Sequence, residues 1–297
     1  MTQPFKTRIG VIGGGQLGKM LIESTQPINV EYNILEASSD CPSFRYATEF
    51  IEGSLMDADK IKELAAISDV LTYEIEHVNV QTLKELEANG TRVIPSASIL
   101  EIIQNKGRQK QFYADNNLAT SHFIIVNSSG FNTDVLSQFE GEKVVLKSCM
   151  GGYDGKGVQI TTKAELIQNG LSHYFEGDVV IEQFVENAIE LSVIVARRAN
   201  GESKTYPVVE MVFDPKINLV DYLFAPSKQS ETVQNEAREL AAHAIAAMNG
   251  EGLFAVELFL DQHGRCIINE IAPRPHNSGH HTIEACYTSQ YEQLARI

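Results

Sequence analysis

The chain has 297 residues, 43% of them hydrophobic, and a formal net charge of −15. That length supports two or three domains, and so acidic a composition argues against a nucleic-acid partner, because neutralising a phosphate backbone takes a dense basic face. No run approaches the roughly 18 apolar residues that span a bilayer, and the start MTQPFKTRIGVIGG lacks the segments of a signal peptide, so no membrane partner and a cytoplasmic location are expected.

Along the chain, RIGVIGGGQLGKMLIES predicts an apolar strand from Arg8 to Ile12, a glycine turn and a helix starting near Gln16. A strand EYNILEA ends at Glu36, a helix DADKIKELAAI follows, and DVLTYEIEHV reads as the next strand. NVQTLKELEANG predicts a helix stopped at Gly90, and TRVIP a further strand. Strand alternating with helix means a parallel sheet with crossovers, so residues 1–95 are expected to form an open α/β domain. Residues 96–117 form a helical connection, with a capping box from Ser98 to Glu101 and with Lys106 and Lys110 one turn apart, able to face the same way. From 118 to 187, HFIIVN, EKVVLKSC, GVQIT and DVVIEQFV with one helix, capped by Thr162 and Glu165 and stopped at Gly170, predict a small α+β lid. Residues 188–297 read as a larger sheet domain, with strands in ELSVIVARR, KTYPVVEMVFD and FAVELFLD and an Ala-rich helix, ETVQNEARELAAHAIAAMNG, between the last two. The four cysteines form no CxxC pair and read as reduced thiols.

Several of these segments carry chemistry. Gly13, Gly15 and Gly18 satisfy GxGxxG, and Glu36 stands where a ribose-binding acid would lie, which is the case for a dinucleotide oxidoreductase; a tight strand-to-helix turn would need the same glycines. The loop GGYDGKG, Gly151 to Gly157, is either a long hairpin turn or an amide-rich flap over phosphates, and Lys147 in the apolar strand before it meets solvent or an anion. In IEQFVENAIELSV, the backbone of Gln183, Phe184 and Val185 could read an adenine edge, with Glu182 close by and Glu190 accepting from ribose hydroxyls; a strand-end acid and an exposed one would look the same. Glu257 and Glu270 flank the turn DQHGR, and two acids with apolar neighbours repel unless a hard cation such as Mg2+ lies between them, with Asn269 beside. In APRPHNSGHH, His276, His280 and His281 could form a transition-metal cluster, or Arg274, His276, Asn277 and Ser278 could donate to a small oxyanion.

Taken in order, GGGQLG, YEIEHV, IIQNKGRQKQF, LKSCMGGYDGKG, IEQFV, VELF and NEIAPRPHNSGH followed by TSQYEQ resemble the ATP-grasp enzymes, and among them the N5-carboxyaminoimidazole ribonucleotide synthetase family of purine biosynthesis. The resemblance implies an ATP-grasp fold with an N-terminal open parallel α/β domain (pre-ATP-grasp), a small lid and a larger sheet domain. It also implies that ATP phosphorylates bicarbonate to carboxyphosphate and that the amine of 5-aminoimidazole ribonucleotide (AIR) takes up the carboxyl group. By matching motif, Lys106, Lys147, Gly152, Gly155, Lys156, Gly157, Glu182, Gln183, Phe184, Val185, Glu190 and Asn269 would bind ATP, and Glu257 and Glu270 would hold Mg2+. Tyr153, Asp154, Lys156, Arg274, His276 and Asn277 would be catalytic, and Gln16, Glu74, Glu76 and Ser278 would join Tyr153, Asp154, Arg274, His276 and Asn277 around AIR and bicarbonate. A homodimer is usual in the family. Two departures stand out: relatives usually continue past TSQYEQ, so the last domain is expected to be cut short at Ile297, and Phe213 sits where they often place a histidine. Alternatives are another ATP-grasp ligase such as formate-using glycinamide ribonucleotide transformylase, an NAD-binding oxidoreductase, or a non-catalytic nucleotide-binding module.

Overall fold

The computed structural model describes residues 6–151, 157–214 and 219–297, without the side chains of 213, 214 and 219. The readings made for Gly152, Tyr153, Asp154, Gly155 and Lys156, and for the Phe213 side chain, lie outside the described residues.

The N-terminal unit alternates largely as its sequence requires, but a strand at Glu49–Glu52 that the sequence reading did not include follows Val30–Glu36 with no α-helix between them. Strand β1 (Thr7–Ile12) leads through the glycine turn into helix α1 (Gln16–Ser24), then β2 (Val30–Glu36), β3 (Glu49–Glu52), α2 (Ala58–Ala66), β4 (Val70–Tyr73) and α3 (Val80–Ala88). The four strands form one parallel sheet in the order β3-β2-β1-β4. Period-two alternation sends Ile9 and Val11 to one face of β1 and Ile12 to the other, and both faces are covered. Two expectations need correction. Residues 91–95 form no strand: Val93 makes a single parallel bridge to Leu71. The strand in DVLTYEIEHV stops at Tyr73, because the chain leaves the sheet there and runs as a loop through Glu74, Ile75 and Glu76 at the carboxyl edge.

The helical connection is two helices, α4 (Ala97–Ile103) and α5 (Lys106–Asp115). The expected Ser98–Glu101 box is absent: Ser96 is the N-cap of α4, and Ser98 bonds the Ser96 hydroxyl at 3.0 Å. Asn105 opens α5 instead, its side chain accepting from Arg108 N–H at 2.9 Å. Next comes an antiparallel sheet, order β5-β8-β6-β7, from β5 (Phe123–Asn127), β6 (Lys143–Ser148), β7 (Val158–Thr162) and β8 (Asp178–Gln183), with α6 (Lys163–Asn169) after β7. The predicted capping box of Thr162 and Glu165 is present, and Gly170 ends α6 with a positive φ.

The third sheet runs β12-β11-β9-β13-β14, with β10 beside β9. Its strands are β9 (Ile189–Arg197), β10 (Ser203–Thr205), β11 (Val209–Asp214), β12 (Leu219–Phe224), β13 (Gly252–Leu260) and β14 (Cys266–Ala272). KTYPVVEMVFD is therefore two strands, broken around Pro207, which has no N–H to give a ladder. β12 was not anticipated; its LVDYLF pattern is partly polar because it is an edge strand with Tyr222 exposed. Helix α7 (Glu231–Ala247) covers one face of this sheet through Ala237, Ala241, Ala244 and Ile245. The opposite face packs Ile194, Ala196, Leu253 and Ala255 in one apolar cluster with Ile9, Val11 and Leu21 of the N-terminal unit. The short helices α8 (Thr282–Ala285) and α9 (Gln290–Arg296) close the chain, with Tyr291 and Leu294 of α9 completing that cluster.

Candidate active site

Residues from helix α5 and from the second and third sheets meet in a cleft lined by Lys106, Gln109, Lys110, Lys147, Glu182, Asn269 and Glu270. Each is delivered by an element already predicted. Lys106 and Lys110 lie one turn apart on α5, Lys147 near the end of β6, Glu182 on β8, and Asn269 and Glu270 on β14.

The cleft is charged and internally paired. Lys106 Nζ is 2.5 Å from Glu270 Oε2. Lys147 Nζ donates to Asn269 Oδ1 at 2.8 Å and lies 3.1 Å from Glu182 Oε1. Burial works against the ionised form of Glu182, but Lys147, Lys110 and the Ser121 hydroxyl outweigh it and hold the carboxyl down to about 2. Lys147 in its apolar strand thus meets an anion, and in this structure that anion is Glu182.

Across the β13–β14 ladder Glu257 stands directly opposite Glu270. Burial, and then the neighbouring Glu270 and Glu190, push Glu257 up to about 8, whereas Lys106 and Lys147 overcome burial to lower Glu270. A cross-strand carboxylate pair with one acid driven toward its neutral form is a donor set that suits a hard divalent cation, which would relieve the repulsion. His276 Nε2 lies 3.5 Å from Glu257 Oε1. The imidazole is pushed down to about 3 by burial and by Arg274, so it is neutral; Nδ1 accepts from Ser278 N–H, which leaves the proton on Nε2, facing Glu257.

Behind β8, residues 184–188 link the lid sheet to β9 without regular structure. The Gln183 side chain is committed to the Glu140 backbone, and among the described residues the main chain of Val185 forms no hydrogen bond. Glu190 at the start of β9 is half-buried, and burial pushes its carboxyl up to about 7 despite Lys147. Gly157, at the far end of the glycine loop, accepts from Ser148 N–H at 2.9 Å.

A second cluster lies between the N-terminal sheet and the tract after β14. Arg274 is gripped by Glu76, with Nε to Oε1 at 2.8 Å and Nη2 to Oε2 at 3.1 Å. Asn277 is exposed, as is Gln16 at the first turn of α1. Ser278 is buried, and its hydroxyl is engaged with Ser192 at 2.7 Å and with His276 at 2.9 Å. Glu74 carries both of its oxygens to the glycine turn, accepting from Gly15 N–H and Gly18 N–H, while Glu36 accepts from Gly14 N–H at 2.9 Å. A Cβ on Gly13, whose φ is +105°, would fall 2.5 Å from Glu74 Cγ, so glycine is required where this carboxylate approaches.

That last arrangement bears on the dinucleotide reading. The amides that would receive a pyrophosphate are taken by the chain's own carboxylates, and the cleft beside Glu36 is lined further by Glu52 and His77 and by no lysine or arginine. The histidine cluster also dissolves: His276, His280 and His281 bond separately to Ser278, Tyr291 and the Ser278 carbonyl, and the described residues hold no group of three or more potential metal-ligating side chains.

Comparison with known proteins gives the architecture a family. A model of the ATP-grasp domain matches residues 111–291, and one of the ribonucleotide synthetase preATP-grasp domain matches residues 6–104. An N5-carboxyaminoimidazole ribonucleotide synthase of Bacillus subtilis is 34% identical over 289 residues, covering 97% of this chain and 75% of its own. The chain belongs to the N5-carboxyaminoimidazole ribonucleotide synthetase family of ATP-grasp proteins. A phosphoribosylaminoimidazole carboxylase of Ogataea methanolica is 38% identical over 291 residues, 97% of this chain; the chain spans about half, 53%, of that relative's length. Among solved structures, a family synthase of Aspergillus clavatus in complex with ADP and 5-aminoimidazole ribonucleotide has a TM-score of 0.87 at 31% identity and covers 98% of this chain and 76% of its own.

With the family shown, the fold predicted from the resemblance is the one observed: a parallel N-terminal sheet followed by two antiparallel sheets. The sequence reading passed over Gln290, which is fully buried and clamps His276 by accepting from its N–H at 3.0 Å and donating to its C=O at 2.8 Å. The tract TSQYEQ stands in the sequence only as part of the family pattern. Nothing in its spacing announces that one of its glutamines holds a histidine 14 residues earlier.

Proposed function

We propose that this chain carries out the ATP-dependent carboxylation of AIR with bicarbonate, giving N5-carboxyaminoimidazole ribonucleotide, ADP and phosphate. The observation that carries this reading is the convergence of Lys106, Lys147, Asn269, Glu257 and Glu270 on one cleft, with Arg274 and His276 alongside, in a chain that matches relatives of that name over nearly its whole length. The ADP and AIR in the Aspergillus clavatus complex, a product and a substrate of this reaction, support the same ligands here.

In this reading the phosphates of ATP lie at Lys106 and Lys147, with Gly152, Gly155, Lys156 and Gly157 also assigned to ATP by their place in the family motif. The base lies against the backbone at 182–185 and the ribose hydroxyls at Glu190, whose half-buried carboxyl can accept from a diol. Glu257, Glu270 and the phosphate oxygens would hold Mg2+, which when bound supplies charge neutralisation for phosphoryl transfer. A bicarbonate oxygen attacks the γ-phosphorus and the bond to the ADP oxygen breaks, giving carboxyphosphate. The AIR amine nitrogen then attacks the carboxyl carbon, directly or after CO2 is released; phosphate leaves and the nitrogen gives up a proton. Arg274, held flat by Glu76, and neutral His276 would orient bicarbonate, Asp154 and Tyr153 the amine, and Gln16, Glu74, Glu76, Asn277 and Ser278 the AIR side of the cleft. No helix among the described residues is long and apolar enough to cross a membrane, and all four cysteines are free thiols, which supports a reducing, cytoplasmic setting. A homodimer and no nucleic-acid partner complete the proposal.

The test is ADP release with ATP, Mg2+ and bicarbonate, with and without AIR. Release that needs bicarbonate and rises with AIR is expected. No response to AIR would return the decision to the other ATP-grasp ligases.

A further inference from the structure

Lys110 lies one turn beyond Lys106 on α5 and is 2% exposed. Its ammonium reaches three oxygens: Thr120 Oγ1 at 2.7 Å, Ser121 Oγ at 2.9 Å and Glu182 Oε2 at 2.9 Å. An ammonium has three N–H donors, so none is left for a ligand. Glu182, equally buried, turns its other oxygen to Lys147, whose own ammonium also donates to Asn269. Two ammoniums therefore share one carboxylate, and this trio carries one net positive charge. The neighbouring Lys106–Glu270 pair is balanced in itself.

We propose that Lys110 is a positioning residue for the nucleotide: by engaging Glu182 it leaves the charge of Lys147 uncompensated, so that Lys147 can meet the phosphates. Without Lys110, Glu182 and Lys147 would close into a neutral one-to-one pair. Lys110 also fixes where that charge sits. Thr120, which accepts from Lys110, donates to the carbonyl of Ile268 at 2.7 Å, the residue before Asn269, so the trio is tied to the strand that receives Lys147. The proposal rests on the reading of this cleft as a nucleotide site.

The test is calorimetric titration with the magnesium complex of the non-hydrolysable β,γ-imido analogue of ATP, in the wild-type chain, Lys110→Met, Glu182→Gln and the Lys110→Met/Glu182→Gln double variant. Loss of Lys110 alone is expected to weaken binding by about tenfold or more, as loss of a near, poorly screened charge does. Because the base is placed against the backbone of residue 182 and not its carboxylate, removing the carboxylate as well should bring affinity back to within about threefold of wild type. A merely structural role for Lys110 would lower thermal stability together with affinity, so thermal unfolding is measured on the same four chains, and a weakened Lys110→Met that keeps the wild-type melting temperature speaks for positioning. Binding by Lys110→Met within about twofold of wild type, or a double variant no tighter than the single, would overturn the proposal. Should circular dichroism show Lys110→Met unfolded, the double variant decides: near-wild-type affinity supports the charge balance, and a loss of about tenfold overturns it. A wild-type chain that fails to bind the analogue overturns the nucleotide reading and this proposal with it, whereas normal wild-type binding beside an unaffected Lys110→Met overturns this proposal alone.

Discussion

At the scale of single residues, the site is governed by which charges are balanced and which are not. Glu270 is kept ionised by two lysines, while Glu257, its cross-strand neighbour, is driven toward the neutral acid. Replacing Glu270 with alanine should therefore lower bicarbonate-dependent ADP release by about 100-fold or more with an unchanged circular dichroism spectrum, since its side chain is 41% exposed and belongs to no apolar core cluster. Glu257 also links the site to pH. Its folded pKa of about 8 lies above its ordinary 4.5, so below 4.5 the folded and unfolded states are both protonated. Between 4.5 and 8 the unfolded chain releases a proton that the folded one keeps, so stability declines as pH rises through that window and levels off above it. Thermal unfolding of the metal-free protein should show this decline reduced in Glu257→Gln. An equal pH dependence in variant and wild type would mean that Glu257 is not the group concerned.

The elements show how a local feature reaches the site through a partner that is distant in sequence. The turn after β14 presents His276 because Gln290, at the first turn of α9, holds its backbone on both sides. That clamp needs Gly279, where an added Cβ would collide with the Gln290 carboxamide. Gly279→Ala should displace Gln290, loosen His276 and destabilise the chain by roughly 2 kcal/mol or more, the cost of forcing a well-packed buried group from its place. Chemical denaturation measures the stability change, and the KM for bicarbonate should rise while the KM for ATP holds. The same scale explains the departures from the predicted elements. TYEIE continues the β-rich composition of β4, yet Tyr73 ends the sheet, since Glu74 is drawn to the amides of the glycine turn and Glu76 to Arg274. Those pulls come from residues about 60 and 200 positions away, beyond the reach of any periodicity.

Over the whole molecule, the three sheets are not equally joined. One apolar cluster runs from the N-terminal sheet through α9 into the third sheet, whereas the lid keeps a core of its own around Val144, Leu146, Val179 and Ile181. The lid meets the rest mainly through polar contacts: Lys147 to Asn269, Lys110 to Glu182, and Lys106 N–H to the Cys149 carbonyl at 2.9 Å. Polar contacts at a cleft reorganise with a ligand more readily than a packed core does. Hydrogen exchange in β6 and β8 should slow when Mg2+ and a non-hydrolysable ATP analogue are bound, with the N-terminal sheet unchanged. Equal slowing in both units would point to global stabilisation rather than closure of the lid.

The sequence by itself determined the alternating class of the N-terminal unit, most of its helices, the glycine turns, the capping box at Thr162 and the family, because these depend on local periodicity, backbone freedom and motifs read in order, while β3, like β12, went unread. It also placed Lys106, Lys147, Asn269, Glu257 and Glu270 among the candidates, since each is a charged or polar residue in an apolar strand or at a helix start. Only the tertiary structure decided their partners. That Lys147 faces Glu182, that Lys110 makes a third member of that group, that Arg274 is held by Glu76 and that Gln290 clamps His276 all depend on three sheets converging. The edge strand β12 and the break at Pro207 escaped for a related reason: whether a mixed polar segment pairs depends on a neighbouring strand having an open edge. Pairing energies in a buried cleft are set by distance and exclusion of water, and neither is written in the spacing of residues along a chain.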